Sequence, residues 1–372
     1  MYKIVISGYY GFNNIGDESI LTAVVSSLRE KLPDIEITVL SQNPQSTAEK
    51  YGVKSVNRRS AAAVIRAVKN CDLVISGGGS LLQDVTSRKS ILYYLFIMRA
   101  AKLMRKKFFI YSQGIGPIVS KLNSRLTVKV LRSASGIVVR DISSKELLVK
   151  IGVPEKDVVV TADPVLRIKK ADLSIGAKIL AEEGFQNGDG RTVCGFAIKE
   201  RRLDSGFLQE LCISAKRLIQ ERNCRILLIP FHFSEDMPAI ELMERYLAEE
   251  GLQQYVCAVK HKYLTEEMLS IIGNTDLLVG VRLHALIHAA IMDVPMIGIS
   301  YDPKINSFLH SVGMKAMCSI YDFKNEFFME EYDKTQANRE ALLAMVRKSV
   351  DMLIEKLDTN EEMIRAIIAG EK

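Results

Sequence analysis

The sequence predicts an α/β protein of two doubly wound domains, each a parallel sheet covered on both faces. Three observations carry this. Short β-branched runs end in glycine or a polar residue, and each is followed by a segment with apolar residues at helical spacing. The runs are continuously apolar rather than alternating, as strands buried on both faces are. They also fall into two sets along 372 residues, a length that suits two domains with a core needing no disulfides.

The first set is Lys3 to Gly8, Ile35 to Ser41, Asp72 to Gly79, Phe108 to Gly114 and Gly136 to Asp141. The second is Val193 to Lys199, Arg225 to Phe231, Gln254 to Val259, Leu277 to Val281 and Pro295 to Ser300. Ser19 to Leu32 and Phe207 to Glu221 show the intervening helical spacing. The alternation pauses at Ala162 to Ser174, before the loop Phe185 to Arg191, which places the boundary near residue 170: domains 1–170 and 171–339. Beyond them Leu342, Val346, Val350, Leu353 and Leu357 form a helical stripe, and Thr359 with Glu362 reads as a capping box opening a last short helix.

The net charge of +6 conceals two unlike halves. Residues 1–170 hold 27 Lys and Arg against 13 Asp and Glu, whereas residues 171–372 hold 23 against 31. The first half is built to meet anions. An apolar content of 48% with 25% charged residues excludes a long disordered or low-complexity chain. Six scattered cysteines without a C-x-x-C pair fit a reducing cytoplasm and give no metal site. The amino terminus is too short in apolar residues for a signal peptide, and the most apolar stretch, Leu283 to Tyr301, is broken by His284, His288, Asp293 and Pro295. A cytoplasmic protein, soluble or peripherally attached, is expected. The segment Ser90 to Phe109 sets Arg99, Lys102, Arg105, Lys106 and Lys107 beside Tyr, Leu and Phe, which suits either an anionic membrane surface or a crossover helix with a solvated basic end. No recognition motif accompanies it, so nucleic acid is not an expected partner.

In open α/β sheets ligands bind beyond the carboxyl ends of the strands, so the chemistry is sought in those turns. After the first strand, GYYGFNNIGDES brings Asn14, Asp17 and Glu18 to a helix start, where carboxylates suit sugar hydroxyls or proton transfer, or merely complement the helix dipole. SGGGSLLQD supplies Gly78 and Gly79, with Gln83 nearby, as bare backbone before a helix. No G-K-S/T follows, which argues against a Walker nucleotide loop. Arg140, ending GIVVRD, either grips an anion or pairs with Asp141 or Asp163. GVRLHALIHAA sets Arg282 and His284 at the start of an apolar helix, favouring an anion, while His288 one turn later faces packing. Lys304 adds a cation after the next strand, and His232 is a candidate for a facing wall.

These turns, in this order, resemble the polysaccharide pyruvyl transferase family, most closely its bacterial cell-wall members of the CsaB type. The blocks are GYYGFNNIGDESIL, SGGGSLLQD, YSQGIGP, VVRD, ADPV, PFH, GVRLHA and YDPK, spread from residue 8 to residue 304. Asn13 and Asn14 stand where the family often has a glycine. The resemblance implies a GT-B-like fold, two Rossmann-like domains with parallel sheets facing across a cleft, with helices 340–372 returning to the first. It implies phosphoenolpyruvate as donor and, as acceptor, a lipid-diphosphate-linked disaccharide containing N-acetylmannosamine, for a polymer that anchors S-layer proteins. It also implies that Arg140, His284 and Lys304 grip the donor, with Arg282 beside them, at the inner face of the plasma membrane. A homo-oligomer is compatible with it.

That chemistry demands anion clamps, an acid and a base. Arg140, Arg282 and Lys304 would orient the donor, His284 would serve its phosphate, and Asp17, with Asp204 second, would activate a hydroxyl. Asn14, Asp17, Gly78, Gly79, Gln83 and His232 would meet the acceptor. No cofactor or metal is called for. A nucleotide-sugar glycosyltransferase and a non-catalytic sugar- or membrane-binding module are the competing readings.

Overall fold

The structure, a computed structural model, describes residues 1–370 apart from Thr86, Arg88, Gln186, Asn187 and Arg201. Two residues of the expected 185–191 loop, Gln186 and Asn187, thus lie outside the described residues. The chain divides into two compact units, Met1–Ile168 with Met352–Lys372, and Lys169–Asp351.

In the first unit the strands are β1 (Tyr2–Tyr10), β2 (Ile35–Ser41), β3 (Lys54–Asn57), β4 (Leu73–Gly77), β5 (Lys107–Gln113), β6 (Gly136–Val139) and β7 (Val158–Val160). They form an all-parallel sheet in the order β3-β2-β1-β4-β5-β6-β7. Helices α1 (Ile15–Lys31), α2 (Pro44–Tyr51), α3 (Ala61–Asn70), α4 (Ser90–Leu103), α5 (Lys121–Leu131) and α6 (Ile142–Ile151) make the crossovers. Val5, Val74, Phe108 and Ile110 on one sheet face are buried against Val64 and Val68 of α3, Tyr94 and Met98 of α4 and Leu131 of α5. Strand order reverses between β1 and β4, the switch point at which doubly wound sheets bind ligands.

The second unit repeats the plan. Its strands β8 (Thr192–Ala197), β9 (Cys224–Leu228), β10 (Val256–Ala258), β11 (Leu277–Gly280), β12 (Met296–Ser300) and β13 (Cys318–Ser319) run in the order β10-β9-β8-β11-β12-β13, all parallel. Helices α7 (Leu173–Glu182), α8 (Gly206–Glu221), α9 (Phe233–Glu249), α10 (Thr265–Gly273), α11 (Leu283–Ile291), α12 (Pro303–Ser311) and α13 (Asn325–Ala337) surround it, and α14 (Arg339–Ala369) follows. Phe196, Ile226, Val279 and Ile297 of the strands meet Leu211 and Leu218 of α8 and Phe328 of α13 in its core.

All ten strand runs read from the sequence are strands, and the fold is two Rossmann-like units of GT-B-like architecture. The sequence reading missed β3, β7 and β13, edge strands of two to four residues whose runs are too short to show a pattern. It also split the carboxyl end wrongly. α14 is one helix of 31 residues with no break at Thr359, because burial continues at helical spacing through Val346, Val350, Leu353, Leu357, Asn360, Ile364 and Ile367. Nor do residues 340–351 join the first unit: Arg339 donates to the Asp276 carbonyl and Arg347 pairs with Asp293, so the return begins at Met352. There Asn360 donates to Ser112 Oγ at 2.8 Å, and Glu361 accepts from Tyr111 and Arg167. The six cysteines remain as thiols, four of them buried. No helix among the described residues is long and apolar enough to cross a membrane.

Candidate functional site

In the second unit the sheet order sets the ends of β9, β8, β11 and β12 side by side. At about 4.8 Å per strand this row spans roughly 15 Å. Each strand is followed by a basic side chain: His232 after β9, Lys199 after β8, Arg282 and His284 after β11, Lys304 after β12. Arg282 is the N-cap of α11, so the helix begins beside it, with its amide dipoles favouring an anion.

The Arg282 side chain is only 11% exposed and is fixed by carboxylates. Its Nε donates to Asp236 Oδ2 at 3.2 Å, and its Nη2 donates to Asp236 Oδ1 and to Glu235 at 3.5 Å. Asp236, fully buried, also accepts the amides of Phe231 and His232 at 3.0 and 2.8 Å. One carboxylate thus locks the β9–α9 turn to Arg282 through Nε and Nη2, and Nη1 is not part of that contact. Lys304 lies 3.3 Å from Asp302, the N-cap of α12. Lys199 donates to the Tyr301 hydroxyl at 3.3 Å, and both lysines lie over the Tyr301 ring, at 4.7 and 5.9 Å. Burial holds the His232 imidazole below its ordinary pKa; Arg282 and Lys199 add to that, while Glu235 and Asp236 oppose it. His284 is half-buried at the start of α11. His288 is fully buried with its ring 5.3 Å from Phe231, a core residue as its helical position implied.

In the first unit the switch point gathers Asn14, Asp17, Gly78 and Gly79. Asn14 caps α1, accepting the Gly16 amide at 3.1 Å. Glu18 is structural: buried, it accepts from the Gly11 amide at 2.9 Å and the Tyr51 hydroxyl at 2.6 Å. Asp17 stays half-buried, its Oδ1 within 3.0 Å of where a side chain on Gly79 would begin. Gly78 and Gly79 both have positive φ, and a Cβ on Gly78 would collide with Ile20 at 2.0 Å.

One expectation for this unit needs correcting. The three glycines do not precede a helix, since α4 starts only at Ser90. Residues 79–84 instead zip against 114–117: Gly114 donates to the Gly79 carbonyl at 2.9 Å, Gly116 to Leu82 at 2.8 Å and Asp84 to Pro117 at 3.1 Å. Gln83 serves this loop, accepting the Val85 amide at 3.0 Å. Arg140 adopts the pairing that its sequence position allowed. Its Nη1 donates to Asp163 at 2.9 Å, its Nε to Asp141 at 3.4 Å and its Nη2 to Ser80 at 3.2 Å, with the side chain 4% exposed. Burial works against its charge, and the two carboxylates more than offset that.

Sequence reading missed the groups around Asp17. The Tyr10 ring is buried beside it, and burial, then Asp17, raises the Tyr10 hydroxyl pKa. The Tyr94 hydroxyl is pushed up to about 12, by burial first, with Arg58 opposing and Asp17 adding. Arg58 donates to the Gly8 carbonyl at 2.6 Å and to the Tyr94 hydroxyl at 3.2 Å, among the rings of Tyr9, Phe12, Tyr93 and Tyr94. The signal was hidden because Arg58 follows β3, itself unread. Asp204 sits in an exposed turn after β8, next to a cleft of about 400 Å3 lined by Glu200, Arg202, Phe207, Glu210, Tyr321 and Lys324. Among the described residues no cluster of His, Cys, Asp and Glu could hold a metal ion.

The two strand-end rows fall within a recognisable sequence family. Residues 14–303 match polysaccharide pyruvyl transferase. The amylovoran biosynthesis protein AmsJ of Erwinia amylovora is 21% identical over 85% of this chain and 88% of its own length. Among solved structures, Anabaena Alr3699/HepE in complex with UDP and glucose aligns with a TM-score of 0.65 at 11% identity over the whole of both chains. A putative UDP-N-acetylglucosamine 2-epimerase of Listeria monocytogenes aligns at 0.67 and 13%, covering 100% of this chain and 97% of its own. At such identities these structures attest the fold alone. The family match spans the Asp17 turn of the first unit and the His284 turn of the second, and by it the chain belongs to the polysaccharide pyruvyl transferase family, transferases that place a pyruvyl group on polysaccharide.

Proposed function

We propose that the chain moves pyruvate from phosphoenolpyruvate to N-acetylmannosamine of a lipid-diphosphate-linked cell-wall precursor as a 4,6-ketal, releasing phosphate, for a polymer that anchors S-layer proteins. The observation that supports this is the row of basic groups at the carboxyl edge of the second sheet, inside the family match. Phosphoenolpyruvate carries a carboxylate and a phosphate and needs at least two fixed cations. Lys304 and Nη1 of Arg282 supply them, with Asp236 holding the guanidinium plane in place. Lys199, beside Tyr301, adds a third charge to the row.

A proton added to the donor's methylene carbon makes C2 electrophilic. One sugar hydroxyl adds to C2 and gives up its proton. The bond from C2 to the phosphate oxygen breaks, and a second hydroxyl closes the ring, giving up its own proton. Of the two protons released by the hydroxyls, one balances that taken up at carbon and the other leaves on the phosphate. His284 serves the departing phosphate. Asp17, beside the Gly79 backbone and the Tyr10 and Tyr94 hydroxyls, takes the hydroxyl proton. Asp204 is the second candidate, in its exposed turn. Arg140 is a positioning group, since its three guanidinium nitrogens are already engaged.

The test is incubation with phosphoenolpyruvate and a synthetic lipid-diphosphate disaccharide, following phosphate release and the mass of the product. Phosphate release with a pyruvyl ketal on the sugar is the expected result. Release of UDP from a UDP-sugar with no such ketal would establish glycosyl transfer in its place.

A further inference from the structure

We infer that the outer face of α4 and α5 docks on an anionic lipid surface. The sequence from Val85 to Arg140 contains twelve Lys and Arg and no Asp or Glu. Among the described residues that run forms α4, β5, α5 and β6 with the turns between them, and α4 and α5 pack side by side. Their inward faces belong to the core of the first unit; their outward faces carry large apolar side chains that nothing in the unit covers.

On α4 the exposed apolar residues Leu92, Phe96 and Leu103 share one stripe with Arg99, at spacings of four, three and four, and Lys102 flanks it. On α5 Leu122 shares a stripe with Arg125, Lys129 and Arg132, all exposed. Val119, 75% exposed, precedes α5, and Val85, 59% exposed, follows Asp84, whose carboxylate accepts the Val119 and Ser120 amides at 2.7 and 3.0 Å. That clamp holds both valines on the same rim. Leu103 is 74% exposed and Leu122 64%. Among the described residues, six of the ten exposed large apolar ones of the first unit thus lie within 38 residues of sequence. Isolated exposed apolar residues need no explanation, but a group of them interleaved with basic side chains does.

The charge pattern selects the occupant. Among the described residues no Lys or Arg on these outward faces forms an ion pair, so each is available to a polyanion. A second copy would bring the same positive face and be repelled. A nucleic acid would use the charges but gain nothing from Leu92, Phe96, Leu103 and Val119. A bilayer with anionic headgroups takes both, the basic groups at its surface and the apolar groups at the acyl boundary. This inference goes beyond the transfer reading and does not rest on it.

The test uses the full chain and vesicles of phosphatidylcholine with or without one third phosphatidylglycerol, in a co-sedimentation assay without substrate. The chain should pellet with the anionic vesicles, lose most of that binding at high salt, and ignore the neutral ones. Each basic side chain removed should lower partition by about fivefold, so R99Q/K102Q/R125Q should lose about 100-fold. F96S/L103S/V119S should lose at least tenfold while keeping the salt dependence. All six positions are exposed, so circular dichroism melts and phosphate release with a water-soluble acceptor should match the parent chain. No binding to anionic vesicles, or binding unchanged in both variants, overturns the inference. So does a parent dimer that F96S/L103S/V119S converts to monomer in sedimentation velocity with vesicle binding intact, or a preference for oligonucleotide over vesicle.

Discussion

Arg140 and Arg282 are both buried arginines at the ends of parallel strands, one in each unit, and they are held differently. Arg140 has a partner on every guanidinium nitrogen, Asp163, Asp141 and Ser80, and so ties β6 to the neighbouring loops. Arg282 is bound along one edge by Asp236 and touched by Glu235, and Nη1 is not part of those contacts. The positive charge of the two units is likewise placed differently. In the first unit, where the sequence is most basic, a group of exposed cations, Arg99, Lys102, Lys121, Arg125 and Lys129, lies along α4 and α5 rather than at strand ends. In the second, where acids outnumber bases, Lys199, His232, His284 and Lys304 follow adjacent strand ends. The lesson is that an arginine is a clamp or a brace according to how many of its donors the fold consumes, and that net charge reports on neither.

The largest expected effects break the two arginine braces. Asp236→Asn leaves Arg282 buried with only Glu235, and should cost about 3–5 kcal/mol of unfolding free energy in urea titration. Asp163→Asn should cost less, because Asp141 and Ser80 still hold Arg140; an equal or larger loss would mean that the two arginines are held alike. Next come the ligand effects. Lys304→Ala and Arg282→Gln should each lower kcat/KM for phosphoenolpyruvate by about 100-fold or more, chiefly through KM, whereas Arg140→Gln should cost stability and leave the donor KM of the folded protein near its parent value. A donor KM raised as much by Arg140→Gln as by Arg282→Gln would return Arg140 to the donor site.

Asp17→Asn should reduce turnover at saturating substrates by about 100-fold with the fold intact, and full activity would exclude it as the base. Gly78→Ala places a methyl group 2.0 Å from Ile20 at a positive φ, and should cost about 1–3 kcal/mol. The smallest effect concerns pH. The His232 pKa is lowered in the folded protein, so the unfolded chain binds its proton first as pH falls. Its contribution to stability is present above the unfolded value of about 6.5 and is lost as pH falls through the lower folded value. His232→Gln should flatten the stability profile in that window and nowhere else, which unfolding titrations at pH 5 to 8 would show.

Most of the fold was legible because buried parallel strands advertise themselves as continuous apolar runs, and all ten such runs are strands. The edge strands β3, β7 and β13 were not, since two to four residues carry no period. Losing β3 also hid Arg58 and its aromatic surroundings. The strand-end turns were legible as turns, and Asp17, His284 and Lys304 were found there by residue type. The partners of those residues were not, because Asp236 is 46 residues from Arg282 and Asp163 is 23 from Arg140.

The sequence by itself determined ten strands, the two sheets, the pyruvyl transferase family blocks and the imbalance of charge between its halves, because each is written in local composition and spacing. The tertiary structure decided which basic groups are engaged and which remain for a ligand or a surface. That depends on carboxylates brought in from elsewhere in the chain and on which helix face the core covers, and neither is a property of any one stretch of sequence.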